Sequence, residues 1–256
     1  MSTIRDPCGL RKYLDEEAKA AEESLQVHAE EFNLASLLFD QYKDLAKIVD
    51  VKSEELVRPV ELFLRVEGAL FGVSSLLLHR RVGDAQALIR NAIEAAAIAY
   101  RLFKDPKLIA IYDGAYEKAE VRSDPGRWRP SQKYRDEFSA KKLFAWSGND
   151  WSQLKRLYEI YSVTGIHSGI GALIRHEWKN GLMHLDVLEQ DPKEVMQGWY
   201  VGVEAFARML SVFLEIFSSF ASPEAMANLK EKLSEWRSVL AMTIRNRALV
   251  PDFGFT

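Results

Sequence analysis

The sequence predicts an all-α protein, a multi-helix bundle with one small β-hairpin docked on it. Three observations predict this fold class. Apolar residues recur at helical spacing through most of the 256 residues, as they do in amphipathic helices. Asp-Pro, Ser-Pro and glycine-containing breaks separate these stretches, and such breaks are typical of helix ends. One stretch, residues 172–188, instead alternates around Asn180-Gly181, a pair that favours a two-residue hairpin turn.

We expect one helical domain over residues 1–256, divided into three parts. Residues 1–52 form acidic N-terminal helices, residues 53–247 form the core bundle, and residues 248–256 form an apolar tail. Hydrophobic residues make up 48% of the chain, which is sufficient for a sizeable core. The acidic part has glutamates on one helical face, namely Glu16, Glu17, Glu22, Glu23, Glu30 and Glu31.

In the acidic part we expect a helix over residues 9–32, and the apolar periodicity continues to about Val49. The helices of the core bundle are expected over residues 53–80, 84–103, 131–145, 150–164, 192–220 and 223–247. Ser53, Asp191 and Ser222 stand just before three of these stretches. Their side chains suit the N-cap position because they accept hydrogen bonds from unpaired backbone N–H groups. Pro59 predicts an early kink or a later start in the first core helix.

The predicted hairpin has complementary residues on its two strands. With Asn180-Gly181 as the turn, the polar face pairs Glu177 with His184 and Arg175 with Asp186. The mainly apolar face pairs His176 with Leu185, Trp178 with Met183 and Ile174 with Val187. Because an isolated hairpin is only marginally stable in water, we expect the apolar face to dock on the helices.

The helix over residues 84–103 is apolar on nearly every side. Its polar residues Gln86, Arg90, Glu94 and Arg101 fall within an arc of about 80°, since each residue advances by about 100°. This polar strip predicts a mostly buried helix whose strip is either a narrow window to solvent or the wall of a cleft. Arg90 and Glu94 can pair across one turn. They either bind an anion together with Arg101 or form a structural ion pair.

His167 is the candidate general acid or base. It lies among Gly165, Gly169 and Gly171, and imidazole changes its charge near neutral pH. The alternative is a structural histidine at a helix end. The further binding candidates are Ser168, Tyr112, Arg80 and Arg81. The two arginines either extend an anion site or form a solvated helix C-terminus, where positive charge is favoured.

Composition argues against several functional classes. A net charge of −3 is unlike that of a dedicated nucleic-acid binder. However, residues 122–142 combine basic and aromatic side chains, which suits single-stranded RNA as well as an ordinary solvated surface. The single cysteine, Cys8, fits a reducing cytoplasm. Arg208 and Glu215 interrupt the most hydrophobic stretch, so we expect no membrane span.

Metal and cofactor motifs are missing from the sequence. It contains no Glu-x-x-His, His-x-x-x-His or Cys-x-x-Cys spacing, and these are the spacings by which helices and loops supply metal ligands. No phosphate-binding loop or dinucleotide fingerprint is present either. We therefore expect no metal site and no cofactor.

The run Leu88-Ile-Arg-Asn-Ala-Ile-Glu94, followed by Tyr100, Asp105-Pro106, Tyr112-Asp-Gly114 and much later His167-Ser168, resembles a family of bacterial helical proteins of the DUF5677 type. The resemblance covers roughly residues 60–220. It implies a helical fold and directs attention to Arg90, Glu94, Tyr112 and His167.

The nearest functional analogy is to the HEPN ribonucleases of toxin and phage-defence systems, which are helical and usually dimeric. Their Arg-x4–6-His motif is not found here, because no arginine precedes a histidine at that spacing. The leading hypothesis is a cytoplasmic, homodimeric binding or interaction protein with an anion-accepting pocket, in bacterial stress or phage defence. The alternative is a metal-independent ribonuclease, in which Arg90 and Arg101 hold the phosphate and His167 transfers the proton.

Overall fold

The computed structural model describes residues 10–51, 53–115, 130–162, 176–179, 182–185 and 191–247. The helices, in chain order, are α1 (Leu10–Val27), α2 (Ala29–Ile48), α3 (Glu54–Leu78), α4 (Val82–Lys104), α5 (Ile109–Asp113), α6 (Gln132–Glu137), α7 (Ala140–Leu143), α8 (Asn149–Tyr161), α9 (Pro192–Ile216) and α10 (Pro223–Asn246). Short 3-10 turns cover Pro106–Leu108 and Phe217–Ser219, and two strands, β1 and β2, cover His176–Lys179 and Leu182–Leu185.

The predicted all-α, multi-helix fold is confirmed for the described residues. Helix α4 occupies the middle of the bundle, where it packs against α3, α8 and α9. Buried residues lie on most sides of its axis, including the consecutive run from Ala95 to Tyr100. The expectation that this helix is mostly buried is therefore confirmed.

The main core joins α2, α3, α9 and α10 through large side chains. The ring of Phe63 stacks on Tyr42 and meets the rings of Phe213 and Phe217 edge-on. The indole N–H of Trp236 donates to the carbonyl oxygen of Leu34 at 2.9 Å. These contacts hold α2 against α9 and α10. Helix α4 has other neighbours and is covered by α3, α8 and α9.

The predicted N-caps are confirmed. The side chains of Ser53, Asp191 and Ser222 each accept a hydrogen bond from a backbone N–H in the first turn of the following helix. Pro59 lies inside α3, and the helix begins before it at Glu54. The alternative of a later start at this proline is therefore wrong. Because Pro59 is the sixth residue of α3, it removes one helical hydrogen bond, the one that a backbone N–H there would donate to Glu55.

Three predicted boundaries differ from the structure. The first acidic helix ends at Val27, because the backbone at His28 leaves helical geometry. Helix α4 begins at Val82, before Gly83-Asp84, and the carboxylate of Asp84 accepts from the Arg81 guanidinium at 2.8 Å. The helix expected over residues 131–145 is split into α6 and α7 at Ser139, whose backbone is extended.

Strands β1 and β2 pair antiparallel, with His176 opposite Leu185, Glu177 opposite His184 and Trp178 opposite Met183. The turn residues Asn180 and Gly181 lie outside the described residues. The docking of this hairpin on the helices stays a prediction. The tail over residues 248–256 also lies outside the described residues, and the division of the chain into three parts stays a prediction.

Among the helices that the structure describes, none combines the length and the apolar composition of a membrane-spanning segment.

Candidate functional site

Helix α8 covers the polar strip of α4 at Arg90. The Arg90 Nε–H donates to the Ser162 hydroxyl at 3.0 Å, and Nη2 donates to the Tyr158 hydroxyl at 3.0 Å. The guanidinium also lies over the Tyr158 ring, 4.7 Å from its centre. On α4 itself, Nη1 contacts Glu94 Oε2 at 3.2 Å and Asn91 Oδ1 at 3.3 Å. Arg90 is thus fixed from two helices, and the predicted pair with Glu94 is present.

The local electrostatics keep the phenol of Tyr158 protonated. Burial raises its pKa above the ordinary value, and the Glu94 carboxylate raises it further. The positive charge of Arg90 and its hydrogen bond act in the opposite direction and are outweighed. Tyr158 therefore remains a neutral hydroxyl that can donate a hydrogen bond.

Arg101 lies further along the strip and has different partners. Its Nη2 donates to Glu137 Oε2 on α6 at 2.7 Å, and Lys142 contacts the other oxygen of Glu137 at 2.8 Å. Hydrogen bonds from Lys142 and Arg101 lower the pKa of the Glu137 carboxyl. Because Arg101 is eleven residues after Arg90, the two lie about 16 Å apart along the helix. They do not line one compact pocket.

The predicted extension at Arg80 and Arg81 is also separate from Arg90. Arg80 contacts Glu23 at 2.8 Å, and Arg81 contacts Asp84 at 2.6 Å and Glu17 at 3.5 Å. These carboxylates balance the positive charge of both arginines. Arg81 precedes Arg90 by nine residues, which is about 14 Å of helix.

Tyr112 on α5 is half-buried among aromatic rings. Its ring centre lies 6.2 Å from that of Tyr134 and 5.9 Å from that of Phe138. The structure thus places Tyr112 in an aromatic cluster with Tyr134 and Phe138.

His167 and Ser168 lie outside the described residues. Ser162, whose hydroxyl accepts from Arg90, is five residues before His167. The roles assigned to His167 and Ser168 stay predictions.

Tyr158 and Ser162 are site residues that the sequence analysis missed. They are four residues apart at the C-terminal end of α8, so they share one helix face. This four-residue spacing of two hydroxyl side chains is the feature of the sequence that could have identified them. The hydroxyl of Ser162 also donates to the backbone oxygen of Tyr158 at 2.7 Å, which fixes its lone pair toward Arg90.

A second missed cluster lies between α8, α9 and α10. Arg208 is buried and contacts Asp150 at 2.8 Å and Glu204 at 2.6 Å. Arg237 also reaches Asp150, at 3.3 Å. Burial raises the pKa of Glu204 despite the two nearby arginines. Since both arginines are already matched by carboxylates, the cluster is best explained as a connection between three helices.

The third missed cluster surrounds Glu31 of α2. Glu31 is fully buried and accepts from the Tyr200 hydroxyl at 2.5 Å. His28 Nδ1 is 3.9 Å from the second oxygen of Glu31, and Arg247 is 3.6 Å from the first. Burial lowers the pKa of His28, and the nearby Arg247 and Arg80 lower it further, against the effect of Glu31.

No protein-family model, no curated protein and no solved structure matches this chain. Within the described ranges, no group of three or more His, Cys, Asp or Glu side chains is placed to bind a metal ion. The groups that define the chemistry of the site are the Arg90 guanidinium, the Tyr158 hydroxyl and the Glu94 carboxylate.

Proposed function

We propose that this protein is a helical binding protein whose ligand presents an anionic group, phosphate or carboxylate, to Arg90 and Tyr158. The observation that carries the proposal is the 3.0 Å contact between Arg90 Nη2 and the Tyr158 hydroxyl. It places a charged N–H group and a neutral O–H group side by side, with Glu94 holding the guanidinium from the opposite end.

The hydrogen-bonding capacity of these groups supports this proposal. A guanidinium has five N–H donors, and the contacts described above occupy Nε, Nη1 and one hydrogen of Nη2. The Tyr158 hydroxyl accepts from Arg90 and is also in hydrogen-bond contact with the Ser162 side chain, so an anion would receive its proton in exchange for Ser162. A tetrahedral or planar anion can accept from both groups at once, and charge-assisted bonds of this kind are the stronger ones.

We expect the anion to be bound through the preorganised hydrogen-bond donors of Arg90 and Tyr158, not through an excess of positive charge. Arg90 is balanced by Glu94, so the site has no net positive charge to attract anions from a distance. The Arg90 side chain is 19% exposed, so it is accessible without being flexible. His167 and Ser168 complete the proposed pocket as donors from the segment that follows Ser162.

The experiment measures binding of inorganic phosphate by calorimetry, and of a labelled single-stranded RNA by fluorescence anisotropy. Tyr158→Phe should weaken phosphate binding about tenfold, because a hydrogen bond to a charged group contributes about 1.5 kcal/mol or more. Tyr161→Phe is the matched control, since Tyr161 is on the same helix and buried by packing. Arg90→Ala should abolish binding, whereas Lys155→Ala, which removes the same charge from exposed surface of α8, should not.

Two results would contradict the proposal. The first is wild-type protein that binds neither phosphate nor the RNA. The second is equal weakening by Tyr158→Phe and Tyr161→Phe. Cleavage of the RNA by wild-type protein, lost in His167→Ala at unchanged melting temperature, would replace the binding proposal with the ribonuclease alternative.

A further inference from the structure

The turn between α3 and α4 consists of His79, Arg80 and Arg81. Its backbone ends α3 in the way that a glycine usually does. The Arg80 N–H donates to the carbonyl oxygen of Leu77 at 3.0 Å, and the next N–H along the chain donates to that of Leu76 at 2.8 Å. This pattern places Arg80 at a left-handed φ of 56°, where glycine is preferred and an arginine is strained. The contacts of the Arg80 side chain account for an arginine at this position.

The Arg80 side chain connects the turn to helix α1. Its Nη2 contacts Glu23 Oε2 at 2.8 Å, and its Nε–H donates to the Ser24 hydroxyl at 3.4 Å. Arg81 contacts Glu17, six residues before Glu23 on α1, at 3.5 Å. A glycine would relieve the backbone at residue 80 but would lose the first two contacts. Two carboxylates of α1 are thus paired with the two guanidinium groups of the turn.

The apolar packing of α1 on the bundle is small. Among the α1 side chains that the structure describes, only Ala20 and Ser24 are buried. The larger apolar side chains Leu14, Leu25 and Val27 are 51%, 44% and 52% exposed. Burial of an alanine and a serine removes little apolar surface from water, and partly exposed ion pairs add little and are screened by salt. Local opening of α1 therefore costs less free energy than unfolding of the bundle.

The chain has a natural hinge at His28, between α1 and α2. The backbone there has φ −112° and ψ 29° and leaves helical geometry. Beyond this residue α2 is anchored in the main core through its buried side chains, namely Leu34, Leu38, Tyr42 and Leu45. A rotation of the His28 backbone moves α1 and leaves the packing of α2 in place.

We infer that α1 is a hinged cover over Arg80 and Arg81. It opens as a unit about His28 while the rest of the bundle stays folded. In the closed state the carboxylates of Glu17 and Glu23 occupy the place of an anionic ligand, so the closed contact is autoinhibitory. Opening exposes the turn to phosphate-bearing compounds, which bind guanidinium groups through charge-assisted hydrogen bonds. Because such a compound binds the open state, it shifts the equilibrium toward that state in competition with α1.

Opening changes the charge balance at the turn. Arg80 loses Glu23 as its partner, whereas Arg81 keeps Asp84 at 2.6 Å. The turn thereby gains positive charge that a phosphate group can neutralise. Because Arg90 lies more than two helical turns further along α4, the covered site is separate from the site at Arg90. The inference goes beyond the proposed function and does not rest on it.

The first test measures amide hydrogen exchange residue by residue by NMR. Opening as a unit predicts one protection factor over most of α1, followed by a rise of about tenfold or more beyond His28. Fraying from the N-terminus would instead give a gradient along α1. Raising the NaCl concentration from about 0.05 to about 0.5 M should lower the protection of α1, because salt screens the ion pairs, and should leave that of α2 unchanged.

Two substitutions test whether the contact at Arg80 holds α1. Glu23→Gln should lower the protection of α1 about two- to fivefold, which corresponds to the loss of one partly exposed ion pair. Glu22→Gln is the matched control, since it removes the same charge from an exposed neighbour, and it should leave the protection unchanged. Arg80→Gly separates release of α1 from loss of the fold. It relieves the left-handed backbone, so the melting temperature should be unchanged or higher while the protection of α1 falls.

The second test measures binding of inorganic tripolyphosphate by calorimetry. The double variant Glu17→Gln with Glu23→Gln should bind about tenfold more tightly than the control double variant Asp15→Asn with Glu22→Gln, because the two have the same net charge but only the first removes the competing carboxylates. Melting temperatures check that both double variants keep the fold.

Two further variants locate the tripolyphosphate that binds more tightly. Adding Arg80→Gly to the first double variant should remove the gain in affinity. Adding Arg90→Ala should leave the gain in place, so a failure of this inference is distinguishable from a failure of the site on α4.

Three results would overturn the inference. A gradient of protection along α1, or equal protection of α1 and α2, shows that α1 does not open about His28. Equal effects of Glu23→Gln and Glu22→Gln show that the pair with Arg80 does not hold α1. Equal tripolyphosphate affinity of the two double variants, or a gain that survives Arg80→Gly, shows that α1 covers no anion site at the turn.

Discussion

Tyr200→Phe is expected to destabilise the protein more than Tyr42→Phe, although each removes one hydroxyl from the interior. Tyr42 donates to the backbone oxygen of Phe206 at 2.8 Å. That carbonyl lies inside α9, where it also accepts the helical bond from four residues further on. Tyr200 donates instead to the carboxylate of Glu31 at 2.5 Å, and Glu31 is fully buried.

The expected loss of unfolding free energy depends on which groups lose a hydrogen-bond partner when each hydroxyl is removed. Tyr42→Phe removes one neutral hydrogen bond and leaves no donor unpaired, so it should cost about 1 kcal/mol of unfolding free energy. Tyr200→Phe removes a bond to a charged group and leaves a buried carboxylate short of a partner, which should cost about 3 kcal/mol. Arg247 at 3.6 Å remains near Glu31 and keeps the loss from being larger.

The assay is urea unfolding followed by far-ultraviolet circular dichroism, with each variant also made in a Glu31→Gln background. The double-mutant cycle isolates the coupling between Tyr200 and Glu31, expected to be about 1.5 kcal/mol or more. The coupling between Tyr42 and Glu31 should be near zero. Equal losses for the two tyrosine variants, or no coupling for Tyr200, would refute the view that α2 and α9 are joined by a buried carboxylate.

Two further predictions concern packing and pH. Gly68→Ala should raise the unfolding free energy by about 0.5–1 kcal/mol through helix propensity. Gly198→Ala should instead leave it unchanged or lower it by up to about 2 kcal/mol, because the new Cβ would lie 2.9 Å from Leu77 Cδ2. Both are measured by urea unfolding at low protein concentration. For pH, the lowered pKa of His28 means that the unfolded chain binds a proton more readily. Stability should therefore fall as pH decreases below about 6.5, and His28→Gln should reduce this slope.

These two predictions fail in identifiable ways. A gain in stability from Gly198→Ala as large as that from Gly68→Ala would show that the contact between α9 and α3 is loose. The prediction for His28 would be contradicted by a wild-type protein that becomes more stable on acidification from about pH 7.5 to about pH 5.5. That result would mean that the folded state binds the proton more tightly, as in an ion pair with Glu31.

The helices could be predicted because their signals are local. Apolar periodicity identified α4, and the N-caps Ser53, Asp191 and Ser222 were read correctly from single residues followed by Pro or Glu. Boundaries were less accurate where competing contacts decide them. Asp84 has the chemistry of an N-cap, but its carboxylate pairs with Arg81, and α4 begins before it.

The site could be predicted only in part, because its decisive contacts join residues that are distant in sequence. The Arg90–Glu94 pair follows from a four-residue spacing on one helix. The contact between Arg90 and Tyr158 spans 68 residues, and no periodicity along the chain reports it. The same holds for Arg208 and Asp150, which are 58 residues apart. In the sequence, Arg208 was only a charge inside an apolar stretch.

The structure also changes the meaning of the polar strip on α4. The sequence left two alternatives, a window to solvent or the wall of a cleft. Arg90 and Arg101 are each contacted by a different helix, α8 and α6, and Arg90 remains partly exposed. Ser162, which accepts from Arg90, directly follows α8. Arg90 thus holds the C-terminal end of α8 against α4 through Tyr158 and Ser162. If the proposed anion binds at Arg90 and Tyr158, it acts on the same hydrogen bonds that join these two helices, so ligand binding should change the stability of the contact between α4 and α8.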